Sequence, residues 1–270
     1  KTLLERYYRN EDIYFLAYKP DIDVNGDNQS DTNAVDAPVT FIDKGKGTAT
    51  RGLTVDDIRQ AFAWAKAQGT LNQALLVTII ADGEADGRLL LNSETNDFVS
   101  APELKAILDD YQQTTGNQVV IILETSYAGT FIPGLATDEN RIIIASAAAD
   151  QPTQHIDSFG SGTFGWHYFN ELRRGSNFWD AFHEAAGRLA QTPQLYDDNR
   201  NGRLARKMCL NACFKLQPKQ TLYHNDDTIR VTLPLGLPSD KVSYIGIALP
   251  DGSAIFTLNQ LNGFEPFNGS

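Results

Sequence analysis

The sequence predicts an α/β fold with a largely parallel sheet flanked by helices, followed by a small all-β, sandwich-like segment. Three observations predict it. Runs of aliphatic and β-branched residues recur at 74–80 (ALLVTII), 119–123 (VVIIL) and 141–145 (RIIIA), the near-continuous apolar text of strands covered on both faces. Segments with helical spacing alternate with these runs, the order expected of a parallel sheet. After about residue 207 the text shifts to short alternating runs at 228–233, 242–249 and 253–258, separated by Pro-Ser-Asp and Pro-Asp-Gly turns. The boundary falls at 205–220. This gives 1–205 as an α/β domain and 206–270 as a β-rich accessory domain, sandwich-like or incomplete.

Taken in order, the chain opens with LLERYY and DIYFLAY, a helix end and then a strand. Next comes Asp21-Ile-Asp23-Val-Asn25-Gly26-Asp27, with Asp31 beyond. Alternate oxygens before a glycine form the first half of a calcium loop, because a hard cation needs several oxygens and a sharp turn. The twelfth position is Thr32 rather than a bidentate glutamate, so a bare acidic turn fits the same residues. Thr54 caps a helix with Asp56 and Asp57 in its first turn and Ile58, Ala61, Phe62 and Ala65 on one face, ending at Gly69. The strand at 74–80 closes on a loop carrying Asp82, Gly83, Glu84 and Asp86, with a short strand at 88–91 after it. Ser100 and Glu103 form a capping box for a helix whose buried face is Leu104, Ile107, Leu108 and Tyr111. Phe164, Trp166, Tyr168 and Phe169 read as core, and Asn177 caps a helix bearing Trp179, Phe182, Ala186 and Leu189. Residues 191–203 (QTPQLYDDNRNGR) repeat the oxygen alternation through Asp197, Asn199, Asn201 and Gly202, a weaker calcium candidate because it is shorter and holds two arginines.

Composition narrows the function classes. The 270 residues are 41% hydrophobic and 21% charged, enough apolar text to bury a core. A net charge of −11 and a pI near 4.8 disfavour nucleic acid and anionic membranes, which are bound by clustered Lys and Arg. No apolar run approaches the ~18–20 residues that span a bilayer, so membrane insertion is not expected. Cys209 and Cys213 are either a local disulfide, which suits an exported protein, or two packed thiols.

The stretch most suggestive of chemistry is 118–131, QVVIILETSYAGTF. Its strand stops at Glu124 and Thr125 and gives way to Ser126-Tyr127-Ala128-Gly129. A small polar residue there stands at the carboxyl end of the sheet, where open α/β folds hold ligands and nucleophiles. Ser126 is either such a residue or the cap of an ordinary turn.

Four features in this order resemble the caspase-like cysteine peptidases of the legumain type, in their bacterial branch. They are ALLVTIIADGEADG, VVIILETSYAGTF, RIIIAS and FWDAFHEAAGRLAQTPQLYDDNRNG, and the resemblance covers about residues 1–205. It implies the family's catalytic histidine at the end of the second strand and its cysteine at the end of the third. Those positions are Asp82 and Ser126, with Gly83, Glu124, Tyr127 and Gly129 around the implied cleft. A hydroxyl needs a base to become a nucleophile, and a carboxylate with a pKa near ~4 is a poor one that cannot protonate a leaving amine. Of His155, His167, His183 and His224, only His155 sits in a loop suited to a substitute base. The expectation is a catalytically inactive pseudopeptidase serving as a binding or scaffold module, exported, calcium-stabilised at the acidic loops, with a peptide or protein ligand. The rival is an active endopeptidase, in which Ser126 replaces an engineered-out cysteine or works with His155 as an unusual serine nucleophile.

Overall fold

In a computed structural model of the chain, the described residues are 2–6, 8–9, 12–17, 40–43, 53–68, 74–93, 95–137, 140–153, 162–197, 202–211, 213, 246–248, 255–259 and 263–266. The chain divides into two compact units, Lys1–Gln217 and Pro218–Ser270.

The first unit is built on strands β3 (Leu75–Ile80), β7 (Val119–Glu124), β8 (Arg141–Ala145) and β9 (Gln194–Asp197), hydrogen-bonded in the order β3-β7-β8-β9. The first three are parallel and β9 is antiparallel. The alternation of side chains along β7 splits the core into two layers. Val119, Ile121 and Leu123 face a cluster with Phe62, Leu104, Leu108, Phe131 and Leu135, from helices α2 (Val55–Ala67), α3 (Ala101–Thr115) and α4 (Phe131–Leu135). Val120 and Ile122 face Phe164, Tyr168, Leu172, Phe178 and Phe182, from α5 (Phe164–Arg173) and α6 (Phe178–Ala186). Every residue of β7 and β8 is buried. The predicted α/β class therefore holds, with helices on both faces of a mostly parallel sheet.

The capping signals form as read. Thr54 N–H donates to Asp57 Oδ2 at 3.0 Å, and Ser100 N–H donates to Glu103 Oε2 at 3.0 Å. Gly116, at φ 70°, closes α3 in the left-handed conformation that glycine adopts without strain.

Several elements differ from the sequence reading. The 81–87 loop contains strand β4 (Asp82–Glu84), which pairs antiparallel with β5 (Arg88–Asn92), itself paired with β6 (Asp97–Ser100). A three-residue strand among glycines and acids carries no period to read, and its partner across the 85–87 turn supplies the order. β9 forms in a stretch read as loop because it pairs with β8 and covers that strand's outer edge. A parallel pair of β1 (Tyr14–Ala17) and β2 (Thr40–Asp43) lies nearer the N-terminus, after α1 (Thr2–Glu5). Trp166 departs from the core reading at 56% exposure, while Phe164 and Tyr168 are fully buried. On one helix, positions i and i+4 share the inward face and i+2 turns away.

The polypeptide that follows β9 closes the unit. Arg6 donates from Nε and Nη2 to Leu210 O at 3.1 and 2.8 Å, and Asn211 Nδ2 donates to Arg6 O at 3.1 Å. Cys209 and Cys213 form a disulfide, Cα atoms 5.2 Å apart, which decides between the two sequence alternatives. The second unit holds an antiparallel sheet, β10 (Gly246–Ala248), β11 (Ile255–Asn259) and β12 (Gly263–Pro266). The strand expected at 228–233 lies outside the described residues.

Candidate functional site

Parallel pairing brings the two expected catalytic positions to one edge. The β3–β7 register ends with Ile80 opposite Glu124, and Ala81 N–H reaches Glu124 O at 3.4 Å. Two residues further along each strand stand Asp82 and Ser126. Gly83 seals the contact between them: a Cβ there would land on Thr125 Oγ1 and Ser126 O. Only the absence of a side chain lets β4 pass this close to the loop. Asp82 is exposed.

The Ser126 side of this edge is densely hydrogen-bonded. Thr153 N–H donates to Ser126 Oγ at 3.0 Å. Tyr127 adopts a left-handed conformation, φ 57°, and its N–H donates to Gln151 O at 2.8 Å. Its carbonyl accepts Thr130 Oγ1 at 2.7 Å. Gly129 N–H donates to Ala147 O at 2.9 Å, and a Cβ at Gly129 would stand 2.6 Å from Ala149 N. Beneath the loop, Ser146 Oγ accepts Thr125 N–H at 3.1 Å and shares a hydrogen bond with Thr153 Oγ1 at 3.2 Å. Gln191 Nε2 donates to Ser146 O at 2.5 Å, and Gln151 Oε1 accepts Thr192 N–H at 2.8 Å. Thr153, Ser146, Gln151 and Gln191 support the site yet went unmarked in the sequence. They are polar residues without period or motif, brought in by the return of the chain.

Glu124 does not open onto this edge. It is 8% exposed, and its Oε1 accepts Gly165 N–H at 3.0 Å. A Cβ at Gly165 would overlap that carboxylate, so the glycine near the start of α5 makes room for the buried acid. Within β4 and its turn, Glu84 and Asp86 accept from Arg88 at 2.6 and 2.7 Å, and Arg88 lies 4.4 Å over the Phe98 ring.

Neither described histidine is near a role in catalysis by position. His167 is buried in α5 with its ring 4.8 Å from Trp166. His183 is exposed on α6 and shares a hydrogen bond with Trp179 O at 2.8 Å. His155 and His224 lie outside the described residues, as do Asp21, Asp23, Asn25, Asp27, Asp31, Asn199 and Asn201. Among the described residues no group of three or more His, Cys, Asp or Glu could hold a metal ion. Asp197 is described, buried at the end of β9.

Chemically, the edge offers a serine hydroxyl whose oxygen is fixed by a backbone N–H and an exposed carboxylate across from it. That N–H would favour a negative charge on Oγ, but proton removal needs a base of higher pKa than an ordinary carboxylate.

Residues 64–183 match the model of the Peptidase C13 family. No curated protein matches the chain. The matched stretch runs from the last turns of α2 into α6 and contains both Asp82 and Ser126. Over residues 64–183, the chain is therefore similar to the Peptidase C13 family, which is legumain-type and caspase-like.

Proposed function

We propose that the first unit is a peptidase-family domain whose peptidase chemistry is gone and whose cleft binds a peptide or protein ligand. One observation carries this reading: Asp82 and Ser126 occupy the adjoining strand ends where such an enzyme needs imidazole and thiolate. The edge around them is closely built, down to the Gly83 approach and the bonds that hold the Ser126 loop. A cleft that persists without its chemistry is a binding surface. The exposed Asp82 and a net charge of −11 favour a basic peptide. The Cys209–Cys213 disulfide supports an exported, oxidising location.

The deciding assay uses peptides with Asn, Asp, Arg or Lys before the cut, on the parent and on the double variant Asp82→His, Ser126→Cys. The parent is expected to be silent and the double variant to turn over. Turnover by the parent sinks the proposal. Direct binding of fluorescent Lys/Arg peptides, weakened by salt and by Asp82→Asn, is the positive counterpart.

A second reading makes Ser126 a nucleophile with His155 as its base. Thr153, whose N–H meets Ser126 Oγ, is two residues from His155 in the chain, a span of at most about 7 Å. If the parent cleaves peptides, His155→Ala must abolish the activity for this reading to stand.

A further inference from the structure

The turn that lies between β9 and the disulfide carries charge that the peptidase reading leaves unused. Residues 203–207 read Arg-Leu-Ala-Arg-Lys. Leu204 and Ala205 are buried, whereas Arg203, Arg206 and Lys207 are exposed. The turn is held by its own backbone, since Arg206 N–H donates to Gly202 O and Lys207 N–H to Leu204 O, both at 3.0 Å. It is also tied to the start of α6. Trp179 N–H donates to Ala205 O at 3.3 Å, and Phe178 N–H to Met208 O at 3.0 Å. Gly202, at φ 77°, lies so close to the Trp179 ring that a Cβ would overlap it. Burial of the two apolar residues thus turns all three cations outward from a firm base.

Several other exposed cations lie against a carboxylate, as Arg59 does on Asp56, Arg88 on Glu84 and Arg174 on Glu171. Arg203, Arg206 and Lys207 form no ion pair among the described residues. The acids packed beside them are engaged: Asp180 accepts Asn177 Nδ2 at 3.0 Å, and Asp197 accepts Ala205 N–H at 2.9 Å. The Arg206 guanidinium carbon stands 3.8 Å over the Trp179 ring, whose other neighbour is His183 at 4.3 Å. A guanidinium stacked in this way keeps its N–H donors at the rim, where a carboxylate can take them. We propose that Arg203, Arg206 and Lys207, with Trp179, form a docking surface for an acidic peptide segment of a partner protein. The chain carries a net charge of −11, but a short ligand responds to the local patch, because charges beyond about 10 Å are screened. An anionic membrane or a nucleic acid would meet the whole acidic body and be repelled by it. The surface does not rest on the reading of the Asp82–Ser126 cleft, whose expected ligand is basic.

The test titrates the full chain into a fluorescein-labelled hexaglutamate peptide and follows its anisotropy. Saturable binding is expected at about 50 mM salt and its loss at about 500 mM. The combined variant Arg203→Gln, Arg206→Gln, Lys207→Gln should weaken it by about tenfold or more, the worth of a few exposed ion pairs. A control removes the same charge from α2 and α3, across the sheet, through Arg59→Gln, Lys66→Gln and Lys105→Gln. It should stay within about threefold of the parent, because distant charge is screened. If the patch variant does not fold, the pair Arg203→Gln, Lys207→Gln decides instead, since it leaves Arg206 on Trp179. Absence of binding by the parent overturns the proposal, as do equal losses in the patch and control variants. Tighter binding of phosphatidylserine vesicles or single-stranded DNA than of the peptide overturns it as well.

Discussion

The two sides of the candidate cleft are held very differently. The β7–β8 side is buried throughout, and its loop is fastened by Ser146, Gln151, Thr153 and Gln191. On the other side, Ile80 is 72% exposed, Asp82 is exposed, and β4 is three residues long. The side that carries Ser126 is part of the core, whereas the side that carries Asp82 is surface. A substitution at Asp82 therefore costs the fold little, while Ser126 is embedded in a bonding pattern that the fold uses.

The largest expected effect comes from cutting the central side at its root. Arg141, 1% exposed, donates to Leu135 O at 2.7 Å and to Asp109 Oδ1 at 2.8 Å. Arg141→Met should destabilise the unit by about 3 kcal/mol in denaturant melts, since it strands a buried carbonyl and a half-buried carboxylate. The same pair gives a pH test. Burial alone would raise the Asp109 carboxyl, but hydrogen bonds and charge from Lys105 and Arg141 outweigh it and hold the group below its ordinary range. Its stabilisation is thus present above the unfolded value near ~4 and is lost as pH falls through the lower folded value. Asp109→Asn should flatten the melting temperature's fall in that acid window, and an unchanged profile would count against the pairing.

Next in size is Gly129→Ala, whose methyl would press on Ala149 N at 2.6 Å. About 2 kcal/mol of destabilisation is expected. Ser126→Ala leaves Thr153 N–H without its acceptor and should cost about 1 kcal/mol. Smallest is Asp82→Ala, expected within ~0.5 kcal/mol of the parent. Equal costs at Ser126 and Asp82 would break the contrast between the two sides.

What could be read from the sequence follows the same division. The runs at 119–123 and 141–145 declared themselves because central strands are apolar on both faces. The helix starts at Thr54, Ser100 and Asn177 declared themselves through their caps. Ser126 stood out at the end of its strand and Asp82 came from the resemblance, and the parallel register then set them side by side. Short strands were not legible. β4 and β9 owe their order to β5 and β8, and a three- or four-residue partner carries no period of its own. The polar supports of the Ser126 loop were hidden for a related reason: their meaning lies in contacts up to 45 residues apart. Trp166 was misplaced because aromatic content was read without regard to helical phase.

The Arg6 clasp on Leu210, two bonds spanning 204 residues of chain, makes an early and a late segment of the first unit neighbours in space. A fold stitched between early and late segments is closed by contacts that neither segment makes alone. It is also a natural subject for circular permutation. Shortened versions that drop either residue 6 or residue 210 would instead open the unit at its seam.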